Sequence, residues 1–190
     1  MSKGHGLDRV RQALALGLDA LGENYVQECE AKADAAPGVR WHLLGHCQRN
    51  KARRAARIFA AVETVDSLAL AARLSAARAG LAPLPVLCEV ELTGLPGRSG
   101  FTAAALRAAF ADLGQLPGIR IEGLMTVAGP GAGSVAFAAC RALRDELSDR
   151  HGVPLPVLSM GMSHDFPVAI ACGSTRVRIG QALFGARPSR

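Results

Sequence analysis

Short apolar segments alternate along the chain with longer segments in which apolar residues recur at helical spacing. The apolar segments predict seven β-strands, and a segment that predicts a helix stands between each strand and the next. The predicted strands cover Asp19–Gly22, Val39–His46, Ala61–Val65, Pro85–Leu92, Ile119–Val127, Val157–Met160 and Arg176–Ile179. Repeated strand–helix units of this kind predict parallel strands joined by right-handed crossovers.

Capping residues mark the ends of the predicted helices. Ser67, Thr102 and Ser134 can each cap the first turn of a helix, and Gly17 can end one. The predicted helices cover about 7–17, 23–35, 50–59, 67–79, 102–113, 134–150 and 165–171, with a last turn after Gln181. The strands are short and mostly apolar, which is typical of strands that helices cover.

Two α/β architectures fit this alternation: a doubly wound open sheet and a (β/α)₈ TIM-type barrel. A doubly wound dinucleotide-binding sheet needs G-x-G-x-x-G after its first strand, and the sequence has none. A barrel carries polar functional residues where its strands end. Such residues occur repeatedly here, namely Glu23–Asn24, His46, Asp66, Met125–Thr126, Ser159 and Arg178. The pattern therefore favours the barrel.

Length and composition restrict the class of protein. The 190 residues, 49% of them hydrophobic, predict one globular domain over residues 1–190. No apolar run reaches the roughly 18 residues of a transmembrane helix, and no secretory signal precedes the first helix. The five cysteines are widely spaced and include no C-x-x-C pair, which argues against zinc knuckles and thioredoxin-type motifs. We therefore expect a cytoplasmic protein with no membrane interaction.

The basic residues admit a nucleic-acid interface but do not require one. The net charge is +6, and five cations lie between Arg49 and Arg57 without the interleaved aromatic residues that stack on bases. We interpret this run as a solvated helix face, and keep nucleic-acid binding through residues 49–57 as a lesser alternative. His42 and His46 lack the glutamate of the helical zinc motif, so we expect no metal site.

Three lysines are available as nucleophiles, and two of them are expected on the surface. Lys32 belongs to a polar helix, and Lys51 stands among other cations. Lys3 precedes the first helix, where a strand-to-helix loop would begin, so elimination favours it. Near the other end of the chain, Leu158–Ser163, Gly173–Thr175 and Gly180–Gln181 form small-residue turns of the kind that bind phosphate.

Several blocks together carry a family resemblance. They are Ser2–Lys3, LGENYVQE at 21–28, WHLLGHCQRNK at 41–51, VDSL at 65–68, RSG at 98–100, GLM at 123–125, LSMGMSHDF at 158–166 and GSTRVRIGQALFGAR at 173–187. In this order and spacing, the chain resembles the pyridoxal-phosphate homeostasis proteins. These are small relatives of the N-terminal barrel of alanine racemase that bind pyridoxal 5′-phosphate (PLP).

The resemblance implies a single (β/α)₈ barrel with PLP at the carboxyl ends of its strands. It implies that Lys3 forms the Schiff base, that Asn24 lies near the cofactor ring and that Arg178 faces the pyridine nitrogen. The phosphate would be held by Ser159, the turn Gly173, Ser174 and Thr175, and the backbone of Gly180 and Gln181. Gln181 stands where the family usually has threonine, which puts one hydroxyl contact to the phosphate in doubt.

The family also has a leading helix and a whole first strand before its Ser-Lys pair. Here Met1 stands immediately before that pair, so we expect a barrel that lacks the N-terminal helix and first strand and keeps seven strand–helix units.

The resemblance implies a role without catalytic turnover. A permanently charged Arg178 disfavours a proton on the pyridine nitrogen, which makes the ring a poorer electron sink. In alanine racemase the second proton carrier comes from an additional domain. We therefore expect a monomer that binds and buffers PLP and hands it to PLP-dependent apoenzymes. A PLP-dependent amino-acid racemase is the alternative.

Overall fold

The computed structural model describes residues 1–185. Six strands lie in this part of the chain: β1 (Ala20–Glu23), β2 (Arg40–Leu43), β3 (Ala61–Val65), β4 (Leu84–Glu89), β5 (Ile119–Met125) and β6 (Val157–Ser159). The helices are α1 (Leu7–Ala15), α2 (Val26–Ala33), α3 (Ala52–Ile58), α4 (Leu68–Ala77), α5 (Ala103–Gly114), α6 (Gly133–His151), α7 (Phe166–Ala171) and α8 (Gln181–Phe184). A 3₁₀ turn at Arg49–Lys51 leads into α3.

All six strands form one parallel sheet, in the same order as in the sequence. Gly22 pairs with His42 of the next strand, and Met125 pairs with Ser159 at the other side of the sheet. Each crossover contains a helix, so the predicted α/β alternation is confirmed. Parallel strands end at the same edge, and the residues that follow them therefore meet there.

The seventh predicted strand, Arg176–Ile179, is not a strand of this sheet. Arg176 makes only an isolated bridge with Ser159, and the backbone N–H of Arg178 donates to the carbonyl of Gly161 at 2.9 Å. β6 is three residues long, and Gly161 then turns the chain with a φ of 91°. A continuous hydrogen-bond ladder needs a neighbouring strand longer than β6, so Arg176–Ile179 runs beside β6 as an extended segment.

The sheet curls into a half-barrel. β3 and β6 are separated by two strands, so in a flat sheet they would lie about 14 Å apart. Instead, the Ser159 hydroxyl donates to the Glu63 carboxylate at 2.6 Å, which requires the two strands to face each other. The described residues thus form a six-stranded half-barrel, where seven strand–helix units of a (β/α)₈ barrel were predicted.

The first two residues lie between the two sides of this half-barrel. The Ser2 N–H donates to the carbonyl of Gly22 on β1 at 3.0 Å. The Met1 nitrogen donates to the carbonyl of Ile179 at 2.6 Å. Residues 1–2 therefore connect β1 with the extended segment.

Helices cover the outside of the sheet and bury its apolar residues. Two of the predicted caps are present: the Ser67 hydroxyl accepts the N–H of Leu70 at 3.3 Å, and the Thr102 hydroxyl accepts that of Ala105 at 3.1 Å. Ser134 does not cap α6, because that helix begins one residue earlier. Within residues 1–185, no helix combines the length and apolar character that crossing a membrane requires.

Candidate functional site

Arg178 lies inside the half-barrel, near the carboxyl ends of β5 and β6. Its side chain donates to the Ser159 hydroxyl at 2.9 Å and to the carbonyl of Thr126 at 2.8 Å. Burial lowers the pKa of this guanidinium below its usual value, and the charge of Glu63 opposes that shift. An arginine nevertheless stays protonated in proteins, so the interior holds a fixed positive charge.

Glu63 supplies the matching negative charge. One carboxylate oxygen lies 2.7 Å from His42 Nδ1 and 2.9 Å from an Arg176 nitrogen, and the other accepts from Ser159. Burial alone would raise the pKa of Glu63. The His42 hydrogen bond and the Arg176 charge outweigh it and hold that pKa below its usual range. Sequence reasoning missed Glu63, although a charge in the apolar strand AVETV was a usable signal.

The structure brings together two of the residues predicted from the sequence, Ser159 and Arg178. The Ser159 side chain is fully buried, and its hydroxyl donates to Glu63 while it accepts from Arg178. These contacts engage the hydroxyl within the protein. Ser159 therefore orients Arg178, and its contact with a phosphate stays a prediction.

Lys3 stands at the carboxyl end of β1, because the preceding residue is hydrogen-bonded to that strand. Its ammonium lies 5.0 Å from the centroid of the Tyr25 ring, within the range of a cation–π contact. Lys3 is partly exposed, and within residues 1–185 its amine makes no salt bridge. The amine is therefore accessible to a ligand.

Lys32 is not on the surface, as the sequence had predicted, but buried. Its ammonium donates to Glu23 at 2.7 Å, to Glu28 at 2.9 Å and to the carbonyl of Ser2 at 3.1 Å. Burial lowers the pKa of Lys32, but the two carboxylates outweigh it and hold that pKa above its usual value. Helical spacing was the missed signal, since Val26, Cys29 and Lys32 share the inner face of α2.

Asn24 follows β1 and presents an unused polar atom. Its Oδ1 is buried and has no hydrogen-bond partner among residues 1–185. A Cβ at position 45 would overlap the backbone of Asn24, so Gly45 allows the ends of β1 and β2 to approach closely. The orphaned amide oxygen identifies Asn24 as a residue with capacity to bind a ligand.

The turn Gly173–Thr175, one of the predicted phosphate turns, packs against β6. The Thr175 hydroxyl accepts the N–H of Leu158 at 2.9 Å, beside the first residues of β6. The Ser174 hydroxyl donates to backbone carbonyls, among them that of Met160 at 2.8 Å. The hydroxyls of Ser174 and Thr175 therefore hold the extended segment against β6, and phosphate binding by Gly173–Thr175 stays a prediction.

Gly180 and Gln181 lie instead beside the N-terminal segment. A Cβ at Gly180 would be 3.5 Å from the Met1 carbonyl oxygen. The backbone N–H groups of Gly180 and Gln181 have no acceptor in the part of the chain that the structure describes. They are available to an anion beside the N-terminal segment.

A polar cleft of about 690 Å³ lies beyond the ends of β2 to β4. His46 Nδ1 lies 2.9 Å from Asp66 there, and the cleft also contains Arg98 and Ser99. Ser99 contacts Glu89, whose pKa is raised by burial and then by the charge of Asp66.

His42 and His46 pair with separate carboxylates, those of Glu63 and Asp66. Residues 1–185 contain no group of three residues suited to a metal ion.

The basic run after β2 forms an exposed face. Arg54 pairs with Glu30 on α2, while Arg49, Arg53 and Arg57 project on the exposed side of α3 and its 3₁₀ turn. With Arg73 of α4 they line a groove of about 400 Å³.

Comparison with known proteins assigns this architecture to a family. The family model of the alanine racemase N-terminal domain matches residues 1–188. The pyridoxal phosphate homeostasis protein of Pseudomonas aeruginosa is 46% identical over 182 residues, which cover 94% of this chain and 79% of that protein.

Solved structures show the same fold. PipY of Synechococcus elongatus, solved with PLP bound, is 40% identical with a TM-score of 0.91, over 97% of this chain and 90% of PipY. Alanine racemase of Clostridium difficile is 18% identical with a TM-score of 0.80, over 98% of this chain and 50% of the racemase, a likeness of fold alone. The chain belongs to the alanine racemase N-terminal domain family and, within it, to the pyridoxal phosphate homeostasis proteins.

Proposed function

We propose that this protein binds PLP at the carboxyl ends of its strands and takes part in intracellular PLP homeostasis. One observation carries the proposal: the Met1–Ser2 backbone joins β1 to the extended segment. This contact supports a common rim of the half-barrel for Lys3, for Asn24 with its orphaned amide oxygen, and for the N–H groups of Gly180 and Gln181, which have no acceptor within residues 1–185. The PLP-bound structure of a protein 40% identical supports the assignment.

The donor set at this rim fits the three parts of PLP. The backbone N–H groups of Gly180 and Gln181 suit the phosphate dianion, and Asn24 can hydrogen-bond a ring substituent. Arg178, oriented by Ser159, can donate to an unprotonated pyridine nitrogen. Bound PLP supplies an aldehyde that condenses with a primary amine and releases water, and Lys3 is the amine available.

We propose that this site buffers PLP without catalytic turnover. The Arg178 guanidinium keeps a positive charge inside the half-barrel. This charge opposes protonation of the pyridine nitrogen of bound PLP, so the ring becomes a weaker electron sink. The homeostasis name of the relatives supports this role. Measurable interconversion of D- and L-alanine by the purified protein would overturn the non-catalytic part of the proposal in favour of a racemase.

The proposal also covers the domain organisation, location, oligomeric state and partners of the protein. We infer a single PLP-binding domain over residues 1–190, built on the (β/α)₈ plan, that acts in the cytoplasm as a monomer and passes PLP to PLP-dependent apoenzymes. We propose no nucleic-acid partner, because the exposed arginines between residues 49 and 57 have no aromatic residues among them.

Borohydride trapping tests the site directly. The protein is incubated with PLP, reduced, digested and mapped by mass, and three lysines and the N-terminal amine compete for the label. We expect a visible absorption band and a label on Lys3, and expect both to disappear in Lys3→Ala. The matched control Lys51→Ala should keep both. An unchanged band and label in Lys3→Ala would show that the site is assigned wrongly.

A further inference from the structure

We propose that Lys32 is a positioning residue, which fixes the backbone on both sides of Lys3 so that the Lys3 amine is presented to PLP. This inference deepens the proposed function and rests on it. It arises from the cluster of buried Glu23 and Lys32 with half-buried Glu28, which the PLP-binding role itself does not use.

The cluster holds both neighbours of Lys3. On one side, Lys32 donates to the carbonyl of Ser2 at 3.1 Å, and the Ser2 hydroxyl donates to Glu23 at 2.7 Å. On the other side, the N–H of Gly4 donates to Glu28 at 2.7 Å. Lys32 bridges the two carboxylates, so one ammonium connects both anchors of the Ser2–Gly4 segment.

Burial makes this arrangement rigid. The Lys32 side chain is 9% exposed and that of Glu23 is fully buried, so water cannot readily replace either partner. One oxygen of Glu23 already lacks a partner among the described residues. Loss of the Lys32 ammonium would leave this buried carboxylate with the Ser2 hydroxyl as its remaining donor, and the cluster would have to rearrange.

The position of the Lys3 backbone matters because its side chain is long and flexible. Four rotatable bonds separate the amine from the main chain, and any drift of the Ser2–Gly4 segment adds to that freedom. A shift of about 1 Å in a reacting group can cost roughly a hundredfold in rate. Fixing the segment therefore acts on the step in which the amine attacks the PLP aldehyde.

Four variants separate positioning from folding and from charge. Lys32→Met keeps the length of the stem and removes the ammonium, and Lys32→Arg keeps a charged donor. Glu28→Ala frees Gly4 but leaves the buried Lys32–Glu23 pair intact. Lys51→Met removes an equal charge from the 3₁₀ turn after β2.

Two kinds of measurement are made on each full-length variant, well below its melting temperature by circular dichroism. Stopped-flow absorbance gives the maximal rate of imine formation and the PLP concentration at half-maximal rate. Hydrogen exchange without PLP reports protection of the Gly4 amide. For Lys32→Met we expect a maximal rate about tenfold to a hundredfold lower, an unchanged half-maximal concentration and faster Gly4 exchange. Lys32→Arg should recover most of the rate, and Lys51→Met should match the wild type.

Each outcome decides the inference. A folded Lys32→Met protein with the wild-type maximal rate overturns it. If Lys32→Met does not fold, Glu28→Ala decides: a reduced maximal rate with faster Gly4 exchange supports the inference, and an unchanged rate overturns it. Failure of the wild type itself to label Lys3 would refute the proposed PLP site, and Gly4 exchange in the variants would still report whether the cluster anchors the segment.

Discussion

Replacement of Glu63 by glutamine tests whether the ion pairs and hydrogen bonds of this carboxylate hold the interior of the half-barrel together. The carboxylate is 1% exposed and contacts His42, Ser159 and Arg176 at 2.6 to 2.9 Å, and Ser159 in turn holds Arg178. Glutamine keeps the shape of the side chain and one oxygen acceptor. It removes the negative charge that faces two arginines.

The expected loss of stability arises because Arg176 and Arg178 lose the negative charge of Glu63. Breaking a buried ion pair costs about 3–5 kcal/mol, and Arg176 is 30% exposed, so water recovers part of the loss. We therefore expect a cost of about 3 kcal/mol, at the lower end of that range. For a domain of this size, that corresponds to a fall in Tm of about 6–12 °C.

The loss of stability caused by Glu63→Gln should also depend on pH. The pKa of Glu63 is lower in the folded protein than its usual value, so its charge stabilises the fold above the unfolded pKa of about 4.3. That contribution is lost as the pH falls through the lower folded pKa. The difference in Tm between wild type and Glu63→Gln should therefore be constant near neutral pH and narrow below about pH 4.

Thermal unfolding followed by circular dichroism at several pH values checks both statements. Glu122→Gln is the matched control, because Glu122 lies on β5 and pairs at 2.7 Å with Arg120, which is 59% exposed. Exposed pairs are worth at most about 1 kcal/mol, so this variant should melt close to the wild type. A Glu63→Gln protein that melts within about 2 °C of the wild type at neutral pH would refute the reasoning.

Three further outcomes are expected. Gly123→Ala should unfold several degrees lower than the wild type, because its Cβ would overlap the neighbouring strand at a φ of 155°. Gly114→Ala on α5 has open space around its Cβ, so its free energy of unfolding should rise by about 0.5–1 kcal/mol. Thermal melting curves compare the two variants. Burial raises the pKa of four buried thiols to about 11 or about 12, so a thiol reagent at pH 8 should label Cys172 first and the others only after unfolding. Tyr25→Leu removes a contact worth about 0.5–1 kcal/mol to the charged Lys3 amine, so PLP titration should show about twofold to fivefold tighter binding, and weaker binding would contradict this role of the ring.

Local signals predicted the elements that depend on local chemistry. The alternation of apolar strands and amphipathic helices was sufficient for a parallel α/β sheet, because each pattern states which face must be buried. The Ser67 and Thr102 caps were also predictable, since a cap bonds to the backbone three residues ahead. The blocks around Lys3 and residues 158–187 identified the family, because they combine many positions in a fixed order.

Contacts between distant segments decided the rest. Arg176–Ile179 has the composition of a strand, but the brevity of β6 leaves it without a ladder. Lys32 has the polarity of a surface residue, yet it is buried because two carboxylates from β1 and α2 surround it. No local pattern places Ser159 beside Glu63 and Arg178, and the curl of the sheet brings it to both. The sequence by itself determined the order of the elements and the family, whereas the curvature of the sheet, which no local pattern encodes, decided which side chains meet inside it.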